Sequence, residues 1–195
     1  MDFNSLEFLL FLPIIVSIHS RLFRGRWLWL LLMSYYFYGC WRIEYLPLLL
    51  ITTFVNFFCA RGIAATENEK LRRGFFVVSL VASLGVLFTF KYYNFLGDVI
   101  NGIYMAFDLP KIVPALHVAL PIGISFYTFQ ALGYTIDVFR KRIDAEKHLG
   151  IFSLFVSFFP QLVAGPIERA EKLLPQFKKR REFDYDRCAS GLTLV

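Results

Sequence analysis

Cysteine is scarce in this chain. Cys40, Cys59 and Cys188 are odd in number and form no Cys-x-x-Cys, so neither a disulfide framework nor a zinc site is indicated, and they are expected to pack as small apolar residues. Histidine is equally scarce. His19, His117 and His148 lie at or near the ends of apolar runs, and none has a second histidine or a carboxylate at metal-ligand spacing. Each is therefore expected as an interfacial residue, and no metal site is predicted. There is no phosphate-cradling P-loop and no Gly-x-Ser-x-Gly elbow. No Lys or Arg precedes Arg21 and no Ala-x-Ala site follows the first apolar run, so no cleavable signal is expected and the first apolar run is expected to stay in the mature protein. Internal repeats and low-complexity tracts are also missing.

What the chain has is apolar and aromatic surface. Of its 195 residues 57% are hydrophobic and 18% aromatic, against roughly 45–50% apolar in an ordinary soluble domain. Several long runs carry almost no charge. The fold class predicted is an all-α integral membrane protein: a multi-span helix bundle in lipid, forming a single unit over residues 1–195. The formal net charge is +6. Most of the basic residues sit between apolar runs, where they set topology, so nucleic acid is not a predicted partner and membrane lipid is.

Five spans are predicted, over residues 6–18, 27–41, 45–60, 74–90 and 118–139. Pro13 is expected to kink the first, and Pro121 to sit near the first turn of the fifth. Residues 92–116 are expected as an amphipathic surface piece plus a loop. Arg21, Arg24 and Arg26 separate spans one and two, and Arg42 alone separates two and three. Arg61, Lys70, Arg72 and Arg73 follow, then only Lys91 and Lys111, then Arg140, Lys141, Arg142 and Lys147. By the positive-inside rule the rich loops are cytoplasmic and the N-terminus faces outward.

The stretch Ser157-Phe-Phe-Pro-Gln-Leu-Val-Ala-Gly-Pro-Ile-Glu-Arg169 is apolar enough to enter a bilayer, yet it carries Pro160, Gln161, Gly165 and Pro166. Two prolines and a glycine forbid a straight helix there, and broken backbone at membrane depth survives only where protein buries it or it lines a wet cavity. Arg169, Lys172, Lys178, Lys179, Arg180, Arg181 and Arg187 come next. A crossing over 149–167 would place them outside, against the rule. The uninterrupted part is only about 11 residues, which suits a re-entrant helix. The segment 149–167 is thus predicted to dip in from the cytoplasm and return.

A second dense stretch, residues 120–140, puts Ser125, Tyr127, Thr128, Gln130, Tyr134 and Asp137 into one span. Ser125 and Thr128 suit polar glue between helices. Gln130, with its four hydrogen-bonding sites, and Tyr127 are candidates for lining a substrate path with Pro160, Gln161, Gly165 and Pro166. Asp137 stands three and four residues before Arg140 and Lys141, which predicts an intrahelical ion pair, or alternatively an anchor for the neighbouring re-entrant loop. No residue of the chain is assigned as catalytic.

The motifs Leu-Pro-Ile-Gly-Ile-Ser-Phe-Tyr-Thr-Phe-Gln (120–130), Asp-Val-Phe-Arg (137–140) and Phe-Phe-Pro-Gln-Leu-Val-Ala-Gly-Pro-Ile (158–167) closely resemble the membrane-bound O-acyltransferase family, nearest its bacterial alginate O-acetyltransferase branch. Leu-Leu-Phe-Leu-Pro (9–13), Tyr-Tyr-Phe-Tyr (35–38) and Phe-Lys-Tyr-Tyr-Asn-Phe (90–95) fit the same branch. The resemblance implies transfer of an acyl group from a cytoplasmic donor to a hydroxyl of an exported polysaccharide, directly or through a periplasmic acyltransferase partner. It implies a bacterial inner-membrane location and no bound cofactor, acetyl-CoA or another acyl donor being a substrate. The family's histidine would act as general base, while the transmembrane tunnel positions both substrates. Family members are longer and carry that histidine in their later half, where this chain has no counterpart. Residues 1–195 are therefore expected to be the N-terminal part of a longer enzyme and inactive alone. A transporter or export subunit with a re-entrant path loop is the competing reading, although no inverted repeat supports it. A non-catalytic protein that recruits a periplasmic partner is the third.

Overall fold

The computed structural model describes residues 5–22, 25–107, 109–115, 120–162, 165, 168–179, 185 and 190. Every regular element among them is helical. Helix α1 (Leu6–Arg21) starts where the Ser5 hydroxyl accepts from the Phe8 amide, and α2 (Arg26–Arg42) starts at left-handed Gly25. Extended backbone at Arg42 and a 3-10 turn over Ile43–Tyr45 separate α2 from α3 (Leu46–Ala65). Asn68 caps α4 (Glu69–Leu87) by accepting from the Lys70 amide at 2.9 Å. The chain then continues through a π-turn at Phe88–Tyr92 into α5 (Tyr93–Ala106). Helices α6 (Ile124–Phe139), α7 (Leu149–Ser157), α8 (Phe159–Leu162) and α9 (Ala170–Lys178) complete the set.

Two differences from the sequence expectation have clear causes. The fifth apolar helix begins at Ile124, because Gly123 holds φ 74° and ends any helical path from upstream; Pro121 thus lies before the helix instead of in its first turn. The region after residue 92 is more regular than expected. Asn101 faces inward: its amide nitrogen donates to the Val113 carbonyl (2.8 Å) and its oxygen accepts from the Ile112 and Val113 amides (3.1 and 3.0 Å). Side-chain pairing of this kind straps the loop to α5 without breaking the helix.

The helical stretches Arg26–Ala65 (40 residues) and Glu69–Ala106 (38 residues) are long and apolar enough to cross a membrane. The second keeps its apolar surface outward, with only 17% of its most apolar window buried in the fold. Val77, Val78, Val81 and Leu84 all face out, as do Leu9, Leu10 and Ile14 of α1. A contiguous apolar surface of this extent calls for a non-aqueous or protein neighbour.

Packing is organised around two centres. In the first, Asn56 of α3 joins three helices. Its amide nitrogen donates to the Thr52 carbonyl and to the Ser83 hydroxyl of α4, both at 2.9 Å. Its oxygen accepts from Ser79 of α4 (2.7 Å) and Thr135 of α6 (3.0 Å). The second centre is α7, whose residues from Ile151 to Ser157 are all buried, against α2, α3, α6 and α9. Phe152 and Phe155 meet Tyr134 of α6 there, at 4.6 and 6.3 Å between rings.

The basic-rich turns gather at one end of the bundle. Arg61 reaches the Lys147 carbonyl (3.3 Å), and Arg72 donates to the Phe139 carbonyl (2.9 Å) and lies over the Phe139 ring. Trp27 packs on His148 at 4.6 Å, and Lys178 pairs with Glu146 at 2.6 Å. At the opposite end Tyr45 meets Phe90, and Lys91 lies 3.5 Å from Ser125.

Candidate functional site

The two motif stretches meet in space. Gly123 sets its backbone so close to Leu162 that a β-carbon there would overlap the Leu162 carbonyl, and its positive φ disfavours any side chain independently. Hence the start of α6 touches the end of α8, and the 120–130 and 158–162 stretches form one structure.

Its centre is the break between α7 and α8. Helix α7 ends at Ser157, and Phe158 turns to ψ 109° before four helical residues that include Pro160 and Gln161. The Gln130 amide of α6 donates to the Phe155 carbonyl at 2.7 Å and to the Gln161 side-chain oxygen at 3.3 Å. From the other side, the Phe159 amide donates to the Ser34 hydroxyl of α2 at 3.3 Å. Phe159 itself packs between Phe11 and Phe37, each 5.6 Å away. The Gly165 amide closes back onto the Gln161 carbonyl at 3.1 Å, where a β-carbon would crowd Gln161. Pro166 lies outside the described residues.

Tyr127 is three residues before Gln130 on α6 and is fully buried. It packs edge-to-face on Tyr38 with ring centroids 6.5 Å apart. The hydroxyls of Tyr38, Tyr127 and Thr128 are all buried, and none makes a well-formed hydrogen bond among the described residues. The Tyr38 and Tyr127 hydroxyls interact with each other, and the Thr128 hydroxyl adds a further buried polar group on α6.

A cavity of about 290 Å³ reaches Gln130 and Tyr134 from the basic-rich end, through Asp137, Arg140, Arg142 and Arg169. Here the predicted ion pair is corrected. Asp137 pairs with Arg142 at 3.7 Å, not with Arg140 or Lys141. The cause is the helix end: α6 stops at Phe139, Lys141 takes φ 57°, and the Arg142 amide folds back to the Asp137 carbonyl at 2.9 Å. Arg140 and Lys141 are left past the last turn, off the face that carries Asp137.

His148 is a helix cap: its Nδ1 accepts from the Ile151 amide at 3.3 Å while its ring rests on Trp27. Next to it, the buried Glu146 carboxylate accepts from the Lys147 and His148 amides, both at 3.0 Å, and pairs with Lys178. His117 lies outside the described residues. Sequence reasoning gave no part to Ser34 or Glu146. A lone serine in an aromatic helix and a glutamate in a charged loop carry no spacing signal; only their partners reveal them.

No family model matches the chain, and no solved structure matches it. Curated relatives do. The probable alginate O-acetylase AlgI of Pseudomonas aeruginosa is 39% identical over 196 residues, covering 99% of this chain and 37% of the relative. The protein of the same name from Azotobacter vinelandii is 39% identical, over 99% of this chain and 39% of the relative. The peptidoglycan O-acetyltransferase of Helicobacter pylori is 33% identical, over 85% of this chain and 35% of the relative. The chain thus spans less than half the length of these relatives. The similarity runs through both motif stretches that the fold joins at the α7–α8 break, and by it the chain belongs to the membrane-bound O-acyltransferase family.

Proposed function

We propose that this chain is the donor-side scaffold of a bacterial inner-membrane O-acetyltransferase that carries an acetyl group from a cytoplasmic donor, acetyl-CoA or a chemical equivalent, to hydroxyls of an exported polysaccharide. The carrying observation is the buried helix break, reached from the basic end by a cavity that ends at Gln130. Its lining holds Arg140, Arg142 and Arg169 against Asp137 and Glu168, an excess of positive charge that suits an anionic donor. Gln130, Gln161, Tyr127 and Thr128 offer amides and hydroxyls that orient an acyl group within an apolar surround. Amides, phenols and hydroxyls are poor bases at neutral pH, so these four side chains orient the acyl group and none of them is the general base. The acceptor is met on the opposite side of the membrane, directly or through a periplasmic acyltransferase.

The topology of this reading is N-terminus outside, with segment 149–167 re-entrant from the cytoplasm. Two contacts support it. Segment 149–178 begins beside Trp27, and Lys178 at its far end lies 2.6 Å from Glu146, so both ends stand at the basic-rich end of the bundle. In a background without the native cysteines, Asn68→Cys and Lys179→Cys are both expected to resist a membrane-impermeant thiol reagent in intact cells. Labelling at Lys179→Cys alone would sink the re-entrant reading. For the activity, deletion of the gene is expected to lower alkali-released acetate from the cell's polysaccharide, and Gln130→Leu in the full gene product to reproduce most of that loss. Unchanged acetate after deletion overturns the assignment.

A further inference from the structure

We infer that Ser34 is a positioning residue: with Gln130 it splits one helical hydrogen bond between two neighbouring helices and so holds the α7–α8 break in place. In an uninterrupted helix the Phe159 amide would donate to the Phe155 carbonyl, four residues back. Phe158 prevents this by turning out of the helix at ψ 109°, and Pro160 keeps the turn open, because its ring would collide with the Val156 carbonyl and it has no amide to donate there. The break therefore leaves a donor and an acceptor apart in an apolar interior, where unpaired backbone is not tolerated. Each half finds a side chain on a different helix. Gln130 of α6 takes the Phe155 carbonyl at 2.7 Å, and Ser34 of α2 takes the Phe159 amide at 3.3 Å.

Ser34 is fully buried, and the Phe159 ring sits inside the apolar clasp of Phe11 and Phe37. The hydrogen bond thus fixes the height and rotation of α8 against α2, while the clasp supplies undirected attraction. Rotation of α8 in turn sets Gln161 against Gln130. Ser34 touches no part of the cavity at Gln130, and acts through the backbone of α8 alone. The geometric part of the inference is independent of the activity; its catalytic consequence rests on the function proposed above.

The test uses the full gene product in lipid nanodiscs. In Ser34→Ala, amide exchange in the peptide spanning 155–162 is expected to rise by about tenfold or more, the size of a lost buried hydrogen bond, with peptides of α3 and α4 unchanged. Ser34→Thr keeps the hydroxyl and is expected to restore both exchange protection and acetyl transfer. Adding Pro160→Ala to Ser34→Ala gives the Val156 carbonyl a donor and removes the ring, so the helix can run on through Phe158 and the Phe159 amide can rejoin the Phe155 carbonyl. The double variant is expected to regain protection while kcat stays low, since the break is gone. Wild-type exchange in Ser34→Ala overturns the inference. So does recovery of kcat in the double variant, which would make Ser34 merely stabilising. If Ser34→Ala cannot be purified folded, recovery of folding by Pro160→Ala supports the pairing and failure of both overturns it. An inactive wild-type protein with the predicted exchange pattern counts against the proposed function and not against the pairing.

Discussion

The stretch Glu69–Ala106 and the segment Leu149–Leu162 make opposite uses of apolar sequence. The first is long, continuous and turned outward, with 17% of its most apolar window buried. The second is short and broken, and Ile151 to Ser157 within it are all buried. Length and hydropathy single out the element that can meet lipid by itself. They say nothing of the element around which the others pack. In a bilayer, interior position goes to segments whose irregular backbone needs neighbours, because only protein can satisfy it. The break at Phe158 thus requires burial, and α2, α6 and α9 provide it.

The largest predicted effect is at the joint between the two motif stretches. Gly123→Val must place a branched side chain at φ 74° against the Leu162 carbonyl. Left-handed strain of about 1–2 kcal/mol adds to overpacking of about 1–3 kcal/mol. Thermal unfolding in detergent is expected to show a loss of about 3 kcal/mol or no folded protein at all. A wild-type melting curve would mean that α6 and α8 do not meet.

A charge on the long stretch breaks the comparison from the other side. Val81 is 63% exposed near the middle of the predicted fourth span. Val81→Lys is expected to cost about 2.5–3.5 kcal/mol of insertion free energy if that face meets lipid, measured by glycosylation mapping of the inserted fraction. Val81→Thr serves as the polar control and is expected to stay within about 0.5 kcal/mol. An equally silent lysine would mean that water, not lipid, covers α4.

These contrasts mark what the sequence made legible. Charge spacing anticipated which turns share an end of the bundle, because Lys and Arg placement is a linear signal. Pro160 and the glycines announced a break, and Gln130 stood out by size within an apolar run. What could not be read was pairing between distant helices. Asn56 looked like any polar residue in a span until Ser79, Ser83 and Thr135 closed around it. Arg142 replaced Arg140 and Lys141 as the partner of Asp137 because a left-handed turn at Lys141 redirects the chain, and lysine is not a residue that advertises one.

Asn56→Leu sharpens this point with an intermediate effect. It removes one hub and takes their Asn56 partner from the Ser79 and Ser83 hydroxyls of α4, while Thr135 of α6 keeps the Ala131 carbonyl at 3.1 Å. At about 0.6 kcal/mol per intramembrane hydrogen bond, four lost bonds amount to roughly 2 kcal/mol. Loss of stability is expected without loss of the α7–α8 exchange protection, since Asn56 packs on α4 and α6 and not on the break. Simultaneous collapse of both would show that the two centres fold as one.

The smallest effect belongs to the tie that returns α9 to the start of α7. The Glu146 carboxylate is buried, yet the Lys147 and His148 amides already satisfy it, and the Lys178 ammonium on the other side is half exposed. Solvent screens such a pair, and exposed pairs are worth about 0.2–1 kcal/mol. Lys178→Met is expected to fall in that range for global stability while loosening α9 selectively, seen as faster exchange over 170–178 against unchanged α7. Added salt should mimic it in the wild-type chain, because screening weakens the same contact. If Lys178→Met instead destabilises α7 as strongly as Gly123→Val does α6 and α8, then α9 is part of the buried centre and not its tether. The contrast would then lie between one long outward stretch and an interior unit that runs from Leu149 to Lys178.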